Sequence, residues 1–192
     1  MNAFLLALGV VFLAELGDKS QLMALAFAAR YRPLTVLVAV SIATLLVHAG
    51  SVLIGRVFAF ALPTGVIEVV AGLAFFVFAA WTIRGDQLGE ADEDRAKRGG
   101  RWAIVTVGTA FFLAELGDKT MLATITLATT QEPIGTWLGS TVGMVAADAI
   151  AIAIGAVLGT RLPERAIKVL AALAFVVFGV LLLGEGLGLL GR

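Results

Sequence analysis

The sequence predicts an all-α membrane protein: six transmembrane helices arranged as two inverted-topology repeats of three. Three observations predict it. Hydrophobic residues fill 60% of the 192 positions and charged residues only 15%, against roughly 45–50% and about 25% in soluble domains. The charges are bunched, leaving apolar runs near or above the ~20 residues that cross a bilayer. The chain also aligns on itself without a gap at a shift of 100 residues. So apolar a chain cannot cover itself with polar surface, which excludes a free cytosolic enzyme and a disordered chain and argues against a nucleic-acid binder. It has no cysteine, so neither disulfides nor thiolate metal sites are available. Net charge is zero, so no global electrostatic steering is implied.

The first span is expected at 3–29. No basic segment precedes it and its apolar character resumes beyond Lys19, which separates it from a cleaved signal. Spans at 34–61 and 65–83 follow. The turns carry Pro33 and Pro63, where a missing N–H and a fixed φ are tolerated. Residues 84–101, RGDQLGEADEDRAKRGGR, are acidic and then basic, as a solvated linker would be; a cation-sensing patch is the sharper reading of the same residues. Spans at 102–130, 134–160 and 166–187 complete the chain, with Pro133 and Pro163 in the turns. The domains are therefore a first repeat at 1–84, a linker at 85–101 and a second repeat at 102–192. Continuous apolar runs disfavour a β-barrel, whose strands alternate. Six spans place ten lysines and arginines on the linker side and only Arg56 and Arg192 on the other. That bias predicts a cell-membrane protein with a cytoplasmic linker and both termini external.

The internal repeat is specific. FLAELGDK at Phe12–Lys19 returns at Phe112–Lys119, Pro33 and Pro63 meet Pro133 and Pro163, and Phe75 and Phe78 meet Phe175 and Phe178. Three spans per repeat put the second repeat into the membrane upside down. Many secondary transporters share that architecture, with the substrate site near the midplane between the repeats.

Glu15, Asp18 and Lys19 fall mid-span, as do Glu115, Asp118 and Lys119. Each central charge costs at least about 2.5–3.5 kcal/mol. On a continuous helix the three residues of each motif share one arc about 100° wide. Pseudo-symmetry then gathers four carboxylates and two ammoniums, formally −2, and a hard divalent cation would neutralise them. Glu15, Asp18, Glu115 and Asp118 are the candidate metal ligands. Lys19 and Lys119 are candidate ion-pair partners, and Ser20, Gln21 and Thr120 supply neutral oxygens nearby. Gly17 and Gly117 permit close approach or local unwinding that frees backbone carbonyls. The competing reading is a structural ion-pair network built on Glu15–Lys19 at i,i+4, which leaves one carboxylate per repeat without a partner. His48 and Asp148 hold equivalent positions in spans 2 and 5. Asp148 is a candidate proton carrier or outer ligand; His48 is either that or a satisfied packing residue. Glu68, Glu132, Glu164 and Glu185 are expected to be solvated. The Phe-rich spans 3 and 6 are expected to pack or face lipid, with Gly72 and Ala79 suited to close contact.

ELGDKS and ELGDKT resemble the E-x-G-D-[K/R]-[S/T] motifs of a membrane family of manganese and calcium transporters, which includes Golgi, thylakoid and bacterial manganese exporters. The resemblance covers nearly the whole chain, with one motif in the first span of each repeat and a charged linker between. It implies cation binding at Glu15, Asp18, Glu115 and Asp118, with Lys19, Ser20, Lys119 and Thr120 at the remaining motif positions. It implies export of a divalent cation, Mn²⁺ or Ca²⁺, in exchange for protons. No cofactor beyond the transported ion is expected, and the partners are that ion and membrane lipid. An aspartyl intramembrane protease using Asp18 and Asp118 is the competing enzyme reading, disfavoured because each Asp has an adjacent Lys and a nearby Glu. A non-transporting scaffold would keep the spans but move no ion. An amino-acid exporter would need a site for a carboxylate and an amine rather than this excess of acid.

Overall fold

The structure, a computed structural model, describes residues 2–28, 31–84, 103–158 and 164–189. The linker, with Arg95, Lys97, Arg98 and Arg101 of the orientation argument, lies outside the described residues. Eight helices are described: α1 Ala3–Glu15, α2 Lys19–Ala28, α3 Pro33–Ala61, α4 Thr64–Arg84, α5 Ala103–Glu115, α6 Lys119–Thr130, α7 Pro133–Leu158 and α8 Glu164–Gly186. The expected spans at 34–61, 65–83, 134–160 and 166–187 correspond to α3, α4, α7 and α8. The expected spans at 3–29 and 102–130 are not continuous. Each is two helices, interrupted at residues 16–18 and 116–118, inside the repeated motif.

The interruption has a local cause. Gly17 and Gly117 sit at φ +75° and +80°, a left-handed conformation that a side chain resists. The helical ladder stops there, and Asp18 N–H and Asp118 N–H reach back only three residues, to the carbonyls of Glu15 and Glu115. A single arc of helix surface therefore does not carry Glu15, Asp18 and Lys19, because Asp18 and Lys19 lie beyond the break.

Pro33 and Pro133 open α3 and α7 at the first helical position, where no N–H is needed. Exposed Glu132 caps α7, accepting from Ile134 N–H at 2.8 Å and Gly135 N–H at 2.6 Å.

The two repeats interlock. Along α7, Gly135, Gly139 and Gly143 lie against the backbone of Phe4 and Leu8, so α1 and α7 run side by side in the same direction. At Gly143 even a methyl group would stand 2.6 Å from Leu8 O. The equivalent pair, α5 with α3, meets at Gly108 and Ala39. α4 and α8 pack antiparallel, with Gly72 against Gly179 and Leu183, as its small size suggests. Phe75, Phe78, Phe175 and Phe178 interleave there, with Phe75 and Phe175 ring centres 5.8 Å apart. Thr44 Oγ1 meets Met144 Sδ at 3.4 Å. Contacts between residues 100 apart are what a pseudo-two-fold axis between the repeats requires.

The outside of the bundle is apolar and its inside is partly polar. Leu34, Leu53, Phe60 and Ile83 are exposed, while Glu15, Asp18, His48, Glu115, Asp118 and Asp148 are buried. Water is the wrong solvent for such an exterior, and lipid is the right one. α3, α4 and residues Pro133–Ala153 of α7 are each long and apolar enough to cross a membrane; α1, α5 and Phe175–Gly186 are apolar but shorter. Glu68, expected to be solvated, is instead buried, because α8 closes over it near Gly186. Glu185 is exposed as expected, and the Glu164 side chain lies outside the described set.

Candidate cation site between the broken helices

Each break delivers two carboxylates and an ammonium to the centre of the bundle. Glu15 and Glu115 end α1 and α5; Lys19 and Lys119 begin α2 and α6. The amino ends of α2 and α6 bring a partial positive charge and unpaired N–H groups towards the acidic cluster. Asp118 stands at the N-cap position of α6, yet its side chain does not cap the helix. It is drawn across the repeat interface instead.

The ion pairs are reciprocal. Lys19 Nζ lies 3.0 Å from Asp118 Oδ1, and Lys119 Nζ lies 2.5 Å from Asp18 Oδ1. Each lysine thus pairs with the aspartate of the other repeat. The intrahelical Glu15–Lys19 pair is not the arrangement adopted, because the break turns Lys19 away from the helix that Glu15 ends. Ser20 Oγ sits between Glu15 Oε1 and Asp18 Oδ2, 3.0 Å from the latter, so its single proton serves both. Thr120 Oγ1 donates to Glu115 Oε2 at 2.9 Å, the counterpart in the second repeat. Glu15 Oε2 and Glu115 Oε1 have no hydrogen-bond partner among the described residues. The two glutamates are within electrostatic reach of each other and of Asp148.

The repeats then diverge. Gln21 accepts from Gly17 N–H at 2.8 Å and donates to Ala147 O at 2.9 Å, tying the first break to α7. Its equivalent, Met121, offers only a sulfur 3.2 Å from Gly117 N. His48 and Asp148 are both fully buried. His48 Nδ1 lies 3.5 Å from Thr141 Oγ1, and its Nε2 has no partner among the described residues. Thr141 and buried Ser140 were not among the sequence candidates; the sequence signal was a hydroxyl pair inside an apolar span.

All four candidate ligands are therefore brought together at one interface, with Ser20, Gln21, Thr120 and both lysines around them. Among the described residues no three His, Asp or Glu side chains are set as a ready metal cage. The lysines hold the aspartates that a cation would need.

Interlocked repeats, apolar helices broken at buried charges and an acidic centre define a secondary transporter of cations rather than an enzyme. Known proteins carry this further. The profile of the divalent cation/proton antiporter GDT1 family matches residues 3–90 and 103–189. The chain belongs to that family, as its repeated motif suggested, and the protease reading falls with it. It is 33% identical over 183 residues to a Vibrio cholerae protein provisionally named a manganese exporter, covering 94% of this chain and 90% of that one. It is 30% identical to the GDT1-like protein sll0615 of Synechocystis, covering 94% and 96%. It is also 30% identical to the chloroplastic protein PAM71 of Arabidopsis thaliana, covering 96% of this chain but 56% of that longer protein. No solved structure matches.

Proposed function

We infer that this chain exports a divalent cation, Mn²⁺ before Ca²⁺, in exchange for protons, through one site built from both ELGDK motifs. The observation that carries the single shared site is the reciprocal pairing of Lys19 with Asp118 and Lys119 with Asp18. Neither motif is electrostatically complete by itself. The ligands are Glu15, Asp18, Glu115 and Asp118, with Ser20 and Thr120 orienting the glutamates. Carboxylate and carbonyl oxygens suit Mn²⁺ and Ca²⁺ alike; the name of the Vibrio relative tips the reading to Mn²⁺. Proton exchange is in keeping with the family's description. It also has a physical motive, since an acidic centre that loses a divalent ion in an apolar interior must be neutralised before it reorients. The six-span topology, with the linker cytoplasmic, keeps the basic residues inside.

The test is flux in proteoliposomes with Mn²⁺, Ca²⁺ or Mg²⁺, with and without a pH gradient and without sodium. A gradient acidic on the receiving side should accelerate Mn²⁺ movement, and protons should move the other way. Asp18→Asn and Asp118→Asn should each remove most of the flux, and the double variant should be little worse than either. Half the flux surviving in each single variant would mean two independent paths. Indifference to the gradient would sink proton coupling. A cysteine placed at Gln87 should react with an impermeant reagent on inverted vesicles only.

A further inference from the structure

The pseudo-symmetric site has an unsymmetrical member. Asp148 stands midway along α7, fully buried, with neither carboxylate oxygen hydrogen-bonded among the described residues. Its repeat equivalent is His48. A lone buried carboxylate is among the most costly groups a membrane protein carries, and it persists where it has a task. Asp148 is not placed at random. Ala147, its chain neighbour, accepts from Gln21, and Gln21 in turn holds Gly17 N–H at the first break. This strap fixes the turn of α7 bearing Asp148 against the first break at Gly17, which is two residues from Glu15 and next to Asp18 in the chain. Among the described residues the second break shows no such strap, and Met121 stands where the first repeat has Gln21.

We propose that Asp148 is a fifth carboxylate ligand of the transported divalent cation, contributed by α7 and held to the first motif through Gln21. This rests on the shared-site reading and adds a residue outside both motifs. An ion entering between the two glutamates meets oxygens from α1, the first break and α7 on one side. On the other it meets the second motif with an imidazole-bearing helix behind. The site is lopsided, with its harder oxygen donors gathered on the first motif's side.

The experiment titrates Mn²⁺ into the purified full chain in nanodiscs, with free ion followed by electron paramagnetic resonance. Asp148→Asn should weaken binding at least about tenfold, the scale on which ligand-shell losses register. Without metal the same variant should be at least as heat-stable as the parent, because a buried acid with no hydrogen-bond partner among the described residues has been removed. Gln21→Met, which copies residue 121, should weaken binding less, by releasing Asp148 rather than deleting it. Glu185→Gln, exposed and remote, is the control. Binding by Asp148→Asn within twofold of the parent overturns the proposal. So does a fall in metal-free heat stability with unchanged affinity, which marks a structural residue. If Asp148→Asn does not fold, Asp148→Glu decides: a ligand's longer side chain should change the Mn²⁺ to Ca²⁺ affinity ratio, and an unchanged ratio overturns the proposal. Asp18→Asn separates the two readings. If it too binds Mn²⁺ normally, the shared site itself is wrong; if it loses binding while Asp148→Asn keeps it, only the fifth ligand is wrong.

Discussion

Gly117 concentrates the residue-scale argument. Nothing lies within 4 Å of where its side chain would be, so space is not what demands glycine there. The demand comes from φ +80°, which costs another residue about 1–2 kcal/mol. Gly117→Ala should therefore lower the melting temperature and reduce flux, since restoring the helix would carry Asp118 away from Lys19. Gly9, inside α1 with open space around it, is the opposite case. Gly9→Ala should leave flux unchanged and be neutral or stabilising by about 0.5–1 kcal/mol, the ordinary helical gain. Thermal unfolding in detergent compares the two, and equal losses would remove the conformational explanation. The motif letters disclosed which residues gather at the centre. They did not disclose who pairs with whom, because i,i+4 spacing assumes a continuous helix and Gly17 ends it.

Among the elements, α1 with α7 and α5 with α3 are equivalent pairs that are packed unequally. Three glycines let α1 sink against α7, and at the same end Trp137 Nε1 donates to Leu45 O at 3.0 Å. Where α5 meets α3, a groove of about 380 Å³ remains beside Ile42, Leu46 and Ile104. Near Pro33 and Leu37 another of about 280 Å³ stays open, and Leu37 is the equivalent of Trp137. Gly143→Leu should push α1 off α7, costing roughly 1–3 kcal/mol as overpacking does. Gly50→Leu, with open space at its Cβ, should be silent. Melting temperatures decide it, and an equal effect at both sites would contradict the packing account. The positions of α3, α4, α7 and α8 were legible from apolar runs and prolines to within a few residues, whereas the breaks that divide α1 from α2 and α5 from α6 were not. The inequality was not, since Gly139 and Ala39 read alike as small residues until backbone distances separate them. Burial of Glu68 was hidden for a related reason: its cover comes from Gly186 on a distant helix, and periodicity within α4 says nothing about that.

At the scale of the whole molecule, the contacts run mainly between repeats. Span 1 leans on span 5, span 4 on span 2, and span 3 on span 6, while the helices of one repeat touch each other little. The shift-by-100 alignment forecast a duplication but not this exchange of partners. A molecule so arranged is, mechanically, a dimer whose two members happen to share a tether. The covalent join between Arg84 and Ala103 keeps the two halves near each other, while the described interface is made by the helices of the repeats themselves. Two separate polypeptides, 1–90 and 103–192, expressed together should find each other, co-purify and recover Mn²⁺ flux, whereas either fragment alone should be degraded. Failure of the pair to associate would mean the tether does more than hold the halves near. The tether also frees the halves from being identical. Gln21 opposite Met121, His48 opposite Asp148 and Leu37 opposite Trp137 are differences that a dimer of one repeated polypeptide cannot sustain, and through them a symmetrical bundle acquires a front and a back.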